Sequence, residues 1–124
     1  MFGVIRMWFF PRELREVGTT PDYRFSLANE RTFLAWIRTA LAMVGGGLAV
    51  AQFIQPFAIP HVREIAAVGL MLVGAVTAIR AVDHWVRCEL AVRRGEPLPA
   101  SRFPAILALL VFFGSILVLA AVLV

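Results

Sequence analysis

The sequence predicts an all-α membrane protein with three transmembrane helices per subunit, an N-terminal interfacial helix and a cytoplasmic N-terminus. Three observations predict it. Of the 124 residues 60% are apolar, with a mean hydropathy of +0.83, more than a soluble domain of this size can bury. Three uncharged or nearly uncharged stretches each approach the roughly 20 residues that cross about 30 Å of hydrocarbon. The basic residues, all arginine with no lysine, cluster at two places along the chain.

Residues 1–25 form the first segment. MFGVIRMWFF is apolar, too short to span and interrupted by Arg6, so it is expected to lie along the interface with Trp8 at headgroup depth. No positive start precedes it and no small-residue cleavage site follows, which argues against a secretory signal. Residues 26–124 form the membrane domain, with helices expected at about 27–54, 62–94 and 103–124. The first ends in QFIQPFAIP, where Pro56 and Pro60 break a helix. The second runs past its apolar part to about Arg94, and Gly95, Pro97 and Pro99 make the next turn. The third follows Ser101, a candidate cap. Five arginines, Arg6, Arg12, Arg15, Arg24 and Arg31, precede the first apolar core, and Arg87, Arg93, Arg94 and Arg102 lie in or beside the second connection. The first connection has only Arg63, so the positive-inside rule places the N-terminus and the second connection in the cytoplasm, with Trp8, Trp36 and Trp85 on that side.

Charges inside the spans are the candidate site. On the second helix Arg80, Asp83, His84, Arg87 and Arg94 stand at i, i+3, i+4, i+7 and i+14, which lines them up on one face. Ile65 to Ile79 is too short for a full crossing, so Arg80 and Asp83 are expected within the inner leaflet, where charges face a bundle interior or a cavity. The bland reading has Arg80 reaching to the interface and Asp83 paired with Arg87. On the first helix Arg31 and Arg38 share a face, with Glu30 beside Arg31, and antiparallel packing is expected to bring all these charges to one level. For Arg38 the bland reading is that Thr39 to Ile59 supplies the span instead. Arg31, Arg38, Arg80, Arg87 and His84 are therefore the anion-binding or pore-lining candidates, with Glu30 and Asp83 as orienting acids. Gly45, Gly46, Gly47 and Gly74 are expected to let helices pack closely.

Other chemistry finds little support. Cys88 is a lone cysteine, so no internal disulfide forms, and His84 has no second ligand at metal spacing; His61 belongs on the opposite side. No nucleophile with a base, no paired carboxylates and no strand before the glycines suggest an enzyme, a cofactor or a nucleic-acid partner. The partners expected are the bilayer, further copies of the chain and an anionic ligand or lipid, because three helices alone leave no lumen to shelter a charged face.

PDYRFSLANERTFLAWIRTALAMVGGGLAV resembles the bacterial YidH-like family of small inner-membrane proteins, a domain of unknown function, and the likeness extends to DHWVRCELAVRRGEP. ANERTFLAW also resembles the membrane domain of the vacuolar transporter chaperone, the polyphosphate polymerase complex. The resemblance runs from about Trp8 to Pro97 and implies a three-helix subunit of the bacterial inner membrane that assembles as a ring. It further implies that basic residues of the first two helices line a path for polyphosphate. By position it carries over Glu30, Arg31 and Trp36 on the first helix and His84, Trp85, Arg93 and Arg94 on the second. Val86, between Trp85 and Arg87, departs from the pattern by one position, and no polymerase or phosphate-sensing domain lies in this sequence. Two readings follow: an oligomeric arginine-lined conduit or binding site for anions or phosphate polymers, or a structural and assembly subunit. In the second, the charges form internal ion pairs or dock an acidic partner or lipid.

Overall fold

The computed structural model describes residues 2–55 and 59–123. The described residues hold five helices and no strand: α1 (Phe2–Phe9), α2 (Pro11–Arg15), α3 (Tyr23–Phe53), α4 (Val62–Arg94) and α5 (Phe103–Leu123). The last three are long and apolar enough to cross a membrane. The chain divides into two compact units, one of Met1–Ala40 with Val76–Ala100 and one of Leu41–Ala75 with Ser101–Val124.

In the first unit, α3 begins at Tyr23, four residues before the expected start, because Asp22 supplies its cap. The Asp22 carboxylate accepts the Arg24 N–H at 3.1 Å, satisfying a donor that a helix start leaves free. At the far end of the unit Gly95, at φ +68°, closes α4. Glu96 N–H donates to Ala91 O at 2.9 Å and Gly95 N–H to Val92 O at 3.3 Å, the paired bonds of a glycine-terminated helix.

The N-terminal segment is two short helices rather than one. Pro11 lacks an N–H and starts α2, and Arg6 and Glu13 tie the two helices with a 2.8 Å ion pair. The pair packs on the last turns of α4: Leu14, Val86 and Leu90 form a buried cluster against which Val4, Met7, Trp8, Val17 and Trp85 rest. Trp8, expected as a ring at headgroup depth, thus has a protein surface to pack on.

In the second unit, α3 stops at Phe53, three residues before Pro56, as the backbone restriction ahead of a proline requires. Pro56 itself lies outside the described residues. Pro60 lies in the turn that leads into α4. Arg63 donates to Ile54 O at 3.3 Å and pairs with Glu64 at 2.7 Å, closing the connection between the helices. Ser101 caps α5 as expected, its hydroxyl oxygen accepting the Phe103 N–H at 3.2 Å. Only Leu107 and Ala121 of α5 are buried, so most of its surface is left for lipid.

The glycines divide sharply. A methyl group on Gly47 would meet Ala67 O at 2.7 Å and the Met71 side chain at 2.8 Å, so the backbones of α3 and α4 meet there. Gly45 and Gly46, expected to share that role, face open space. The reason is geometric: successive residues on a helix are about 100° apart, and one neighbour can meet only one of three. Gly74 is buried on α4.

Candidate functional site

The site is built where the start of α3 meets the end of α4, and polar side chains set the register. Ser26 Oγ donates to the Glu89 carboxylate at 3.0 and 3.3 Å, and Asn29 Nδ2 donates to Trp85 O at 3.0 Å. Phe33 then packs against Trp85, ring centroids 6.2 Å apart. Ser26, Asn29, Phe33 and the buried Ala40 recur at spacings of three, four and seven, a row on the α4-facing side of α3.

Glu89 is the centre of this network. Its side chain is 8% exposed and that of Arg93 is 10%, and Arg93 Nε donates to Glu89 at 3.2 Å. Arg93 also donates to Arg15 O at 3.4 Å, while its own carbonyl accepts the Thr19 N–H at 3.1 Å. Gly18 makes this approach possible. It sits at φ +69°, and an added methyl group would overlap Arg93 O. Sequence reasoning gave no role to Ser26, Asn29, Glu89 or Gly18. The readable signal for the acid was its place four residues before Arg93, and for Ser26 and Asn29 their place in the inward row.

The arginines proposed from sequence point the other way. Arg31 and Arg38 are exposed and make no ion pair or hydrogen bond among the described residues; Glu30, beside Arg31, is exposed and likewise unpaired. Glu30 therefore orients no arginine within its own subunit. Arg80 is exposed on α4. Arg87 is exposed and paired with Asp83 at 2.8 Å, which is the bland reading of that pair. His84 is half-buried with Nε2 3.4 Å from the Cys88 sulfur. No group of His, Cys, Asp and Glu among the described residues could hold a metal ion.

The charges do not share one level. Carried along the helices at 1.5 Å per residue, the Ser26–Glu89 and Asn29–Trp85 register sets Arg31 at about the height of Asp83 and His84. Arg38 then lies about 10 Å deeper, near the fully buried Thr77. Of the stretch Thr39 to Ile59, the residues as far as Phe53 are helical in α3. Thr39–Phe53 gives about 22 Å of helix against about 30 Å of hydrocarbon, so a crossing that ends at Phe53 takes in Arg38. Arg31 and Trp36 border a shallow groove of about 360 Å³, with Thr32, Ala35 and Thr39 between them. Both threonine hydroxyls donate to carbonyls one turn back, at 3.1 Å, and the Arg31 guanidinium is the groove's charged donor.

Residues 24–91 match the family described as a domain of unknown function, DUF202. The chain is 41% identical over 111 residues to the inner membrane protein YidH of Escherichia coli (strain K12), covering 90% of this chain and 96% of that one. The Shigella flexneri protein of the same name matches to the same extent. An uncharacterised protein of Mycobacterium tuberculosis (strain ATCC 25618 / H37Rv) is 42% identical over 88 residues, 71% of this chain and 72% of that one. No solved structure matches. With three helices long and apolar enough to cross a membrane, the family model lying across α3 and α4, and 41% identity to the Escherichia coli protein over most of both chains, the chain belongs to the DUF202 family of YidH-like multi-pass inner-membrane proteins.

Proposed function

We propose that this protein is a non-catalytic membrane subunit that assembles with copies of itself, and that its outward arginines form an anion-binding site or conduit where the copies meet. The observation that carries the reading is the state of Arg31 and Arg38, exposed and without a partner among the described residues on a spanning helix. A charge at membrane depth is costly and normally faces a bundle interior or a water-filled path. Three helices enclose no such path, so the shelter comes from further copies. Guanidinium groups suit phosphate oxygens because their fork meets two acceptors at once, and rings of arginine select anions. Phosphate polymers are one substrate class of this kind, in line with the ANERTFLAW likeness to the vacuolar transporter chaperone. The reading takes the N-terminus, the second connection and this charged end as cytoplasmic, which the clustering of arginine on that side supports.

The structural reading has two observations of its own, the Asp83–Arg87 and Glu89–Arg93 pairs. They account for two arginines of α4 and leave Arg31 and Arg38 unanswered. Purified protein in liposomes tests the choice: anion efflux above empty vesicles that falls several-fold in Arg31→Ala and Arg38→Ala supports the conduit. Equal leak with and without protein, together with no phosphate or polyphosphate binding, refutes it.

A further inference from the structure

The N-terminal pair of helices has more apolar surface than α4 covers. On α1 successive residues turn by about 100°, so Met7, Val4, Trp8, Ile5 and Phe9 follow one another around an apolar arc of about 200°. Val4, Met7 and Trp8 rest on the Leu14, Val86 and Leu90 cluster. Ile5, Phe9 and the adjoining Phe10 stay 43%, 75% and 57% exposed. Trp8 belongs to the protein side of that division. An indole that anchors a chain at the headgroups keeps its N–H among wet groups, whereas Trp8 Nε1 is buried with no hydrogen-bond partner among the described residues.

The depth of the bare face follows from α4. Counted from Ile65, the first residue after the charged Arg63 and Glu64, the roughly 20 residues that cross the hydrocarbon end near His84. Val86 and Leu90 then stand about 3 and 9 Å beyond that edge, and headgroups occupy about 5–7 Å on each side of the hydrocarbon. The helices packed on Val86 and Leu90 are therefore held at headgroup level. On α3 the same level is aromatic: Tyr23 and Phe25, 67% and 60% exposed, stand at the heights of Val92 and Leu90 by the register of the Ser26–Glu89 bond.

We infer that α1 and α2 form a two-faced wedge in the crease between α4 and the bilayer: Val4, Met7 and Trp8 grip α4, while Ile5, Phe9 and Phe10 enter the headgroup–acyl boundary of the leaflet at this end. The partner is the phospholipid interface. What it holds closed is the joint behind the wedge, where Gly18 lies against Arg93 O, Thr19 N–H donates to that same oxygen and Arg93 donates to Arg15 O. A soluble protein is the poorer occupant, because a face at this depth has lipid for its neighbour. Net charge is not the hold. Arg6, Arg12 and Arg15 are set against Glu13, which pairs with Arg6, and Glu16, so the aromatic side chains carry the attachment and salt has little to screen.

Nitroxide labels on the full chain in phospholipid nanodiscs test the wedge, with the unaltered protein as the control because its Cys88 is buried. Labels at Phe9→Cys and Phe10→Cys are expected to be several-fold more accessible to oxygen, which dissolves in the bilayer, than to an aqueous nickel chelate. A label at Glu96→Cys, exposed past the end of α4, is expected to show the reverse. The pattern should be the same in zwitterionic and anionic lipid and at high salt. Phe9→Ser combined with Phe10→Ser should speed tryptic cleavage after Arg12 and Arg15 several-fold with α3 to α5 intact. Nickel access at Phe9→Cys and Phe10→Cys equal to that at Glu96→Cys opens the face to water and overturns the wedge. Exclusion of both reagents with spin–spin broadening gives the face to a second copy and overturns it as well. Insertion confined to anionic lipid overturns the aromatic hold, and cleavage unchanged by the two serines overturns the closing of the joint.

Discussion

The buried pair of Glu89 and Arg93 offers the sharpest test of how the charged end is held. Glu89→Ala removes the acceptor of both Ser26 Oγ and Arg93 Nε, and leaves a guanidinium whose side chain is 10% exposed with only the long contact to Arg15 O. Breaking a buried ion pair from one side costs about 3–5 kcal/mol, because the remaining charge stays desolvated and uncompensated. The neighbouring Asp83–Arg87 pair has the same i, i+4 spacing, but its side chains are 21% and 51% exposed. For that pair water answers most of the lost charge, and Asp83→Asn is expected to cost about 0.2–1 kcal/mol. Burial, not spacing, sets the tenfold-or-greater contrast in unfolding constant between the two. Unfolding by titrated SDS in mixed micelles, followed through tryptophan fluorescence, measures both variants. Because Arg93 also grips Arg15 O and receives Thr19 N–H, Glu89→Ala should speed tryptic cleavage after Arg12 and Arg15, both exposed, while Asp83→Asn should not. Equal losses in the two variants, or a Glu89→Ala loss below about 1 kcal/mol, would refute the assignment of Glu89 as the buried anchor.

Three other substitutions probe the backbone and the depth of the site. Gly18→Ala forces a methyl group onto Arg93 O at a left-handed backbone position that alone costs about 1–2 kcal/mol; the loss should show as release of the N-terminal segment to trypsin with α3 to α5 intact. Gly47→Ala must displace Ala67 O, which lies 2.7 Å from the new carbon, and should lower stability in the same SDS titration. Gly46→Ala meets nothing and should be neutral or stabilising by up to about 1 kcal/mol. Arg38→Leu should ease membrane insertion of α3 by about 1–2 kcal/mol, less than the value for a charge at the helix centre, in a glycosylation-based insertion assay, while reducing the anion efflux proposed above several-fold. Arg24→Leu, at the mouth of the helix, should leave insertion unchanged, and equal effects of the two would place Arg38 outside the hydrocarbon.

The three spans were legible because each rests on an uncharged stretch that breakers interrupt, and the end of α4 and the start of α5 were legible in Gly95 and Ser101. The start of α3 was not, since Asp22 is one polar residue among several and its capping role depends on the turn it closes. The N-terminal latch was beyond local reasoning. Gly18 and Arg93 are far apart in the chain, and nothing about a glycine after two short helices says which carbonyl it will meet. Glu89 was hidden for a related reason. Its partner on α3, Ser26, marks it only after the two helices are set side by side, and in sequence it reads as one more acid near a basic end.

Two faces of one helix explain why the arginines drew attention and the network did not. On α3 the inward row uses small and neutral polar groups, Ser26 and Asn29, which can be buried once each finds a single hydrogen-bond partner. The outward row uses arginine, which cannot be buried without a matched anion, and so it stands at the surface of the lone subunit. Sequence reasoning weighs a charge in a spanning helix as costly and looks for its shelter inside the fold; here the contact between α3 and α4 satisfies Ser26, Asn29 and Glu89 and leaves that cost unanswered. The end of α3 at Phe53 sharpens the point, because Thr39–Phe53 gives about 22 Å of helix, less than the about 30 Å of a hydrocarbon core. A protein that completes its internal register with serine, asparagine and one buried glutamate, yet keeps Arg24, Arg31 and Arg38 in a straight outward row, has placed its unspent charge where only something outside the chain can use it.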